Sequence, residues 1–248
     1  GDVHQLSPIV ELNEERINRL GYNRLINGLQ LLTENSTSPI YQLMTVYRFG
    51  QRSADYTGLF YNGTLVAKES PFYSDLPSMD LLLSKKGGPA LLLTDMPIGD
   101  SSPSFAIMLA TYVVRKLLND NKKKEIAVLT CLKNTTRSLQ KAIIQNVGSH
   151  TNVLVDTVAR IQGLTTDVTL FLVPNTSYIR TLEPHLFNVA TSRAKEHTII
   201  IADKNLLEYP TIKPVIRTYL EKLRSEKYIY IPAKNENRKE LKFKYLLE

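Results

Sequence analysis

The chain has 248 residues, 43% of them hydrophobic and 22% charged, which excludes a disordered tail and an apolar membrane bundle. With 31 Lys and Arg against 24 Asp and Glu, the net charge is +7, a surplus that suits an anionic partner. The one cysteine, Cys131, excludes an internal disulfide and a cysteine-built zinc site, and it fits a reducing, intracellular compartment.

The opening GDVHQLSPIVELNEE has no basic segment followed by an apolar core, so no signal peptide is read there. Gly1-Asp2 reads as a turn leaving a strand, and the chain is expected to begin inside a larger domain. A polar helix is predicted over 11–32, with Leu20, Leu25, Leu29 and Leu32 as candidate buried positions. The hydrophilic stretch TENSTSP, 33–39, is the linker candidate.

Strands and helices then alternate. The continuous apolar run over 89–94 predicts a strand covered on both faces. Ser101-Ser102-Pro103 offers a cap with proline in the first turn of a helix over 104–119 that is apolar on most of its circumference. That helix carries Arg115 and Lys116 in its densest apolar stretch, 105–118, which is too short and interrupted to span a bilayer. Strand 126–132, helix 135–147 and strand 152–158 follow. After them come strand 168–173, helix 184–194, strand 198–202, helix 214–223 and a last strand at 228–231. This alternation predicts an α/β fold, a mainly parallel sheet with helices on both faces. Lys122-Lys123-Lys124 reads as a solvated loop, and the basic tail, with Lys234, Arg238, Lys239, Lys242 and Lys244, as a source of nonspecific affinity at most.

One arginine is out of place. On the helix over 184–194, Leu186, Phe187, Val189, Ala190 and Ala194 form an apolar arc, and Asn188, Thr191, Ser192 and Lys195 lie opposite. Arg193 falls inside the arc, and a guanidinium buried unpaired costs several kcal/mol or more. Periodicity alone leaves three resolutions open: a buried carboxylate, a side chain reaching water past its stem, or a phosphate at a cleft.

The residues then resemble a known family. DTVARIQGLTTDVTLF (156–171) is similar to motif V of superfamily 1 helicases, and FNVATSRAKEHTIIIAD (187–203) to motif VI. YRFGQRSADYTGLFYNGTL (47–65) resembles motif IV of the branch that includes RNA-decay and viral helicases, and GDVHQLSP (1–8) resembles motif III. IAVLTCLKNTTRSLQKAI (126–143) resembles the strand and helix that often precede motif V. The order is the family's.

The resemblance implies a second RecA-like domain at 40–232, preceded by a remnant of the first with its linker (1–39) and followed by the tail (233–248). It implies an ATP-dependent helicase or translocase in which Arg48 and Arg193 are arginine fingers and Gln5 senses the terminal phosphate. Tyr47 would pack on adenine, while Gln162, Gly163 and Thr165 would approach phosphate or ribose. Thr165 stands where many relatives have glutamate, and Cys131 where proline is frequent. Thr130 and Thr157 would touch the backbone of single-stranded DNA or RNA. Asp167 is expected to orient its loop, and His4 and Arg52 to sit in solvent. No G-x-x-x-x-G-K-[ST] occurs, so the magnesium ligands of ATP and the phosphate loop are expected on a missing N-terminal RecA-like domain, and this chain alone should not hydrolyse ATP. No metal site of its own is expected, nor a membrane partner; a cytoplasmic monomer is. The rival readings are a noncatalytic nucleic-acid-binding α/β module and an NTP-driven remodeller that does not unwind.

Overall fold

The computed structural model describes residues 2–6, 13–22, 26, 28–35, 39, 41–68 and 75–233. At its centre are strands that tolerate no water. β3 (Gly88–Thr94) and β4 (Ile126–Thr130) are buried at every position, and β6 (Thr166–Val173) and β7 (Ala194–Asp203) along nearly all their length. β5 (Val153–Thr157) and β8 (Tyr228–Ile231) are partly exposed and form the two edges. The order is β5-β4-β6-β7-β3-β8, with every pairing parallel. A parallel sheet needs cover on both faces, which is why its strands read as continuous apolar runs.

Alternation along each strand divides the core in two. Leu92, Val128, Leu170 and Ile201 face α4 (Ser104–Asp120) and α5 (Lys133–Asn146). Leu91, Leu129, Phe171 and Ile200 face α7 (Pro184–Thr191) and α8 (Pro214–Glu226). Each such buried leucine contributes about 1.5–3 kcal/mol. A short helix, α6 (Tyr178–Thr181), precedes α7. The expected α/β architecture with a parallel sheet and helices on both faces is what the structure has. Among the described residues no helix is long and apolar enough to cross a membrane.

The N-terminal expectation fails in an instructive way. In place of one helix over 11–32 there are two, α1 (Glu14–Arg19) and α2 (Gly28–Asn35). Gly21, at φ +71°, takes the left-handed conformation that ends α1. Ile17 is the buried residue there, whereas Leu20 and Leu32 are exposed and Leu29 is half-buried. Leu25 lies outside the described residues, as does the basic tail from 234 onward. The helix α2 also runs three residues into the expected linker, to Asn35. Beyond it, β1 (Thr45–Val46) and β2 (Val66–Ala67) pair as a separate parallel ladder flanking α3 (Gln51–Thr57).

Three smaller differences have physical causes. Pro103 itself is the cap residue of α4, and no side chain caps that helix; Ser102 Oγ instead meets Ser138 Oγ at 3.1 Å. Lys124 is buried rather than solvated, because Glu196 and Asp75 meet its ammonium at 2.6 and 2.8 Å. Arg52 is likewise no free surface charge. It donates to the carbonyls of Gly87 and Pro89, pairs with Glu226 at 2.8 Å and lies over the Tyr56 ring.

His197, fully buried on β7 and bonded to the backbone of Gly88, has its pKa pushed down from 6.5 to about 4 by burial. The unfolded chain therefore takes up this proton first as pH falls, so the stabilisation is complete above pH 6.5 and disappears towards pH 4. About 3 kcal/mol is involved, from the size of the shift. Urea unfolding at stepped pH is expected to show this loss, and His197→Gln to flatten it even if it lowers stability at pH 7. Parallel pH profiles for the two proteins would remove His197 from the account.

Candidate functional site

α7 begins with Pro184 in its first turn and with the Glu183 carboxylate accepting from the Leu186 amide at 3.0 Å. It ends at Thr191, earlier than its apolar arc suggests, and Ser192 caps it. Arg193 then folds back over the last turn, where Nε donates to the Val189 carbonyl at 3.0 Å. A cation at a helix C-terminus satisfies an orphan carbonyl and is favoured by the helix dipole. The expectation of a polar side to α7 does not hold: Asn188, Thr191 and Ser192 are all buried.

Arg193 is 2% exposed, yet among the described residues no carboxylate pairs with it. Its other hydrogen bonds go to neutral oxygens, Ser192 Oγ at 3.2 Å and Gln5 Oε1 at 3.3 Å. Burial, and after it the nearby Arg48 charge, push its pKa down to about 10, against weaker support from Tyr61 and Asp2. Of the three resolutions that periodicity left open, the buried carboxylate and the exposed guanidinium are not what the structure contains.

Arg48 arrives from the other end of the chain. The bend after β1 is anchored by buried Phe49, and Arg48 Nη1 donates to the Ser192 carbonyl at 2.7 Å. Burial lowers its pKa as well. Ser192 thus receives one guanidinium on its carbonyl and the other on its hydroxyl. Two like charges held this way disfavour each other.

The segment 2–6 closes one side of this pair. Asp2 accepts from Tyr61 OH at 2.6 Å, from Gln5 Nε2 at 2.7 Å and from the His4 amide at 2.9 Å. Asn188 Nδ2, from α7, donates to the His4 carbonyl at 2.8 Å and to Tyr61 OH at 3.0 Å. His4, expected in solvent, packs edge-on against Tyr61 with ring centroids 4.9 Å apart. Burial and the Asp2 hydrogen bond push the Tyr61 phenol up to about 12. Gln5 is therefore oriented by Asp2 on one side while its oxygen meets Arg193 on the other.

In front of Gln5, Arg48 and Ser192 lies a cleft of about 710 Å³, walled also by Tyr41, Leu43, Tyr47 and Tyr61. Tyr47 is 75% exposed, so it is no core tyrosine; Lys68 Nζ lies 5.1 Å from the ring centroid. The loop carrying Gln162 and Gly163 does not line that cleft, and it is tied to the arginine pair only through the backbone of the residue that ends it. The Thr166 amide donates to the Arg193 carbonyl at 3.2 Å, and Thr165 next to it is half-buried. Gly163 takes φ +90° with nothing within 4 Å of where a Cβ would stand, so its backbone is open to a ligand. Asp167 accepts from the Glu125 amide at 3.0 Å and pairs with Lys195 at 3.0 Å, which fixes the start of β6.

Thr130 and Thr157 lie at the opposite, C-terminal ends of β4 and β5, paired in register. Thr130 is completely buried on the face covered by α4 and α5, so the expected contact of its hydroxyl with a nucleic-acid backbone is not possible in this structure. Thr157 is half-buried. Sequence reasoning missed Asp2, Tyr61, Asn188 and Ser192. Asn188 had one available signal, an amide on a helix otherwise packed with apolar residues; the others carried none.

Among the described residues no group of three or more His, Cys, Asp or Glu could hold a metal ion. Of the side chains that line the cleft, Arg48 carries a positive charge and Asp2 a negative one, and the guanidinium suits phosphate oxygens rather than a cation.

No curated protein matches the chain. Among solved structures, the C-terminal domain of a possible DNA helicase from Lactobacillus plantarum WCFS1 is 16% identical over 76% of this chain and 99% of that one, with a TM-score of 0.43. The Pyrococcus furiosus Hef helicase domain is 17% identical over 43% of this chain and 27% of that one, with a TM-score of 0.30. The family model described as AAA domain matches residues 27–205, a span that runs from α2 through the parallel sheet to the end of β7 and takes in both arginines. By that match, which covers well over half its length, the chain belongs to the AAA domain family.

Proposed function

We propose that this chain supplies the cationic half of an ATP cleft in a nucleic-acid helicase or translocase. The observation that carries the reading is the convergence of Arg48 and Arg193 on Ser192 with, among the described residues, no carboxylate in an ion pair with either. In this reading Arg48 meets the phosphates directly from the cleft wall. Arg193 joins when Gln5 gives up its 3.3 Å contact with the guanidinium. Tyr47 offers the base the ring face that Lys68 leaves free, and the open backbone at Gly163 approaches ribose or phosphate with Gln162 and Thr165.

Magnesium bound with ATP would offset phosphate charge from the other half of the cleft; its ligands are not among these donors. The residues here orient the nucleotide and hold charge at the γ-phosphoryl oxygens, where an arginine finger is worth roughly 10³–10⁵ in rate. Gln5 belongs to both the arginine pair and segment 2–6, so its release would report phosphate binding to whatever that segment is joined to. In this division, 40–232 acts as one RecA-like body and 1–39 as part of its counterpart. Single-stranded DNA or RNA would pass Thr157 at the far end of the strands, contacted through phosphate and sugar rather than base. Opening and closing of the cleft then steps the two bodies along the strand. A noncatalytic module is the second reading, favoured by the lack of any glycine–lysine phosphate loop in the 248 residues.

Two measurements test the proposal. Because a buried guanidinium without a carboxylate costs stability, Arg193→Met is expected to stabilise the isolated chain by about 1–2 kcal/mol in urea unfolding. The same substitution should abolish any rise in melting temperature that pyrophosphate gives the unmodified chain. Marked destabilisation, or an undiminished pyrophosphate effect, would show that Arg193 is an ordinary structural residue. In the polypeptide that carries both halves of the cleft, Arg193→Ala should lower nucleic-acid-stimulated ATP turnover about 10³-fold or more. Near-normal turnover would favour the noncatalytic module.

A further inference from the structure

Charge on the outer surface is unevenly placed. From 126 to 155 the sequence contains no Asp or Glu. Within that stretch α5 carries Lys133, Arg137 and Lys141 at four-residue intervals, and all three are exposed. Successive members are about 6 Å apart along the axis and lie in one gently winding row. Among the described residues none of the three makes an ion pair. On α8, by contrast, Arg217 pairs with Glu221 on the same helix, and Glu226 takes Arg52. An ordinary solvated helix face mixes its charges as α8 does; α5 does not.

The row also has a direction. Lys133 opens α5 three residues after Thr130, at the strand ends where Thr157 stands, and no side chain caps the amides of that first turn. The positive end of the helix dipole therefore adds to the first cation. From there the row runs back along the outside of the domain. Gln140, on the same helix, donates to the Val155 carbonyl of the edge strand at 2.9 Å, which ties the row firmly to the sheet. A rigid line of evenly spaced cations that starts beside a hydroxyl at the sheet edge matches a repeating polyanion better than a compact acidic surface.

We propose that Lys133, Arg137 and Lys141 form a phosphate track that takes the continuation of a single nucleic-acid strand beyond the sheet edge. This rests on the nucleic-acid reading above and extends it to a surface which that reading does not use. Contact is with phosphates alone, so the track holds the strand without reading its sequence.

The test is fluorescence anisotropy on the full chain, with single strands of about 20 and about six nucleotides over a series of salt concentrations. The triple variant K133Q/R137Q/K141Q is expected to bind the long strand at least about tenfold more weakly, with the log–log salt slope smaller by about two. The short strand, which cannot fill the track, should lose much less. The variant K122Q/K123Q/K213Q, which removes the same charge elsewhere on the exposed surface, should bind like the unmodified chain. If the unmodified chain binds neither strand, the nucleic-acid reading fails and the track with it. If it binds the long strand and the triple variant binds equally well, the track alone fails. Equal losses in both variants would reduce the row to bulk charge, which also overturns it. Loss of poly-glutamate binding with nucleic-acid binding intact would make the row a protein-docking face and overturn it too.

Discussion

A guanidinium buried without an ion-pair partner among the described residues is the constraint around which the site is arranged. Arg193 sits in a place where a leucine would be cheaper, and every neighbour that touches it is neutral. Arg48 adds a second charge a few atoms away, on the far side of Ser192. Folding therefore works against electrostatic repulsion at this point. The two well-filled cores on either side of the sheet supply the surplus that keeps the pair in place. Strain of this type is commonly found where a protein is built to receive an opposite charge.

Helix geometry explains how the pair is held without a counterion. The terminal carbonyls of α7 would be orphans if the helix simply stopped, and Val189 O and Ser192 O are the ones that the two arginines take. The Ser192 hydroxyl completes the set. Each guanidinium has five donors, more than these contacts use. Gln5 occupies one of those on Arg193 through a neutral oxygen. Asp2 in turn points its carboxylate at Gln5 and Tyr61 rather than at the arginines, close enough to soften their field and too committed to cancel it.

How much of this could be read beforehand differs between the sheet and the cleft. The central strands declared themselves, because a run such as Leu91-Leu92-Leu93 buried on both sides leaves no alternating pattern to misread. The N-terminal helix was misjudged since leucines at helical spacing look alike whether they face a core or water. Gly21, in mid-pattern, and Gly28, where the second helix starts, were the local signs that the helix would break. Arg193 announced a conflict through its periodicity, but nothing local said how the conflict would be met. Its meeting with Arg48 followed from motif resemblance, not from any physical property of residues 145 positions apart. The hydrogen bonds that join Asp2, His4, Tyr61 and Asn188 span up to 184 positions and use residue types that are common on any surface. Their burial is a product of the fold, so sequence pattern had no purchase on it.

The same distinction separates the two threonines at the far edge. Thr130 and Thr157 are equivalent in sequence terms, each a hydroxyl at the end of a strand, and register pairs them directly. Position in the sheet makes them different. β4 is an inner strand whose last residue is fully buried, whereas β5 is the edge strand and keeps its last residue half open. An edge strand alone offers its neighbours a surface, and here the helix beside it carries cations and no acids. In the phosphate-track proposal, a strand crossing this end of the sheet is drawn towards the β5 and α5 side, away from the inner strands, by this charge distribution.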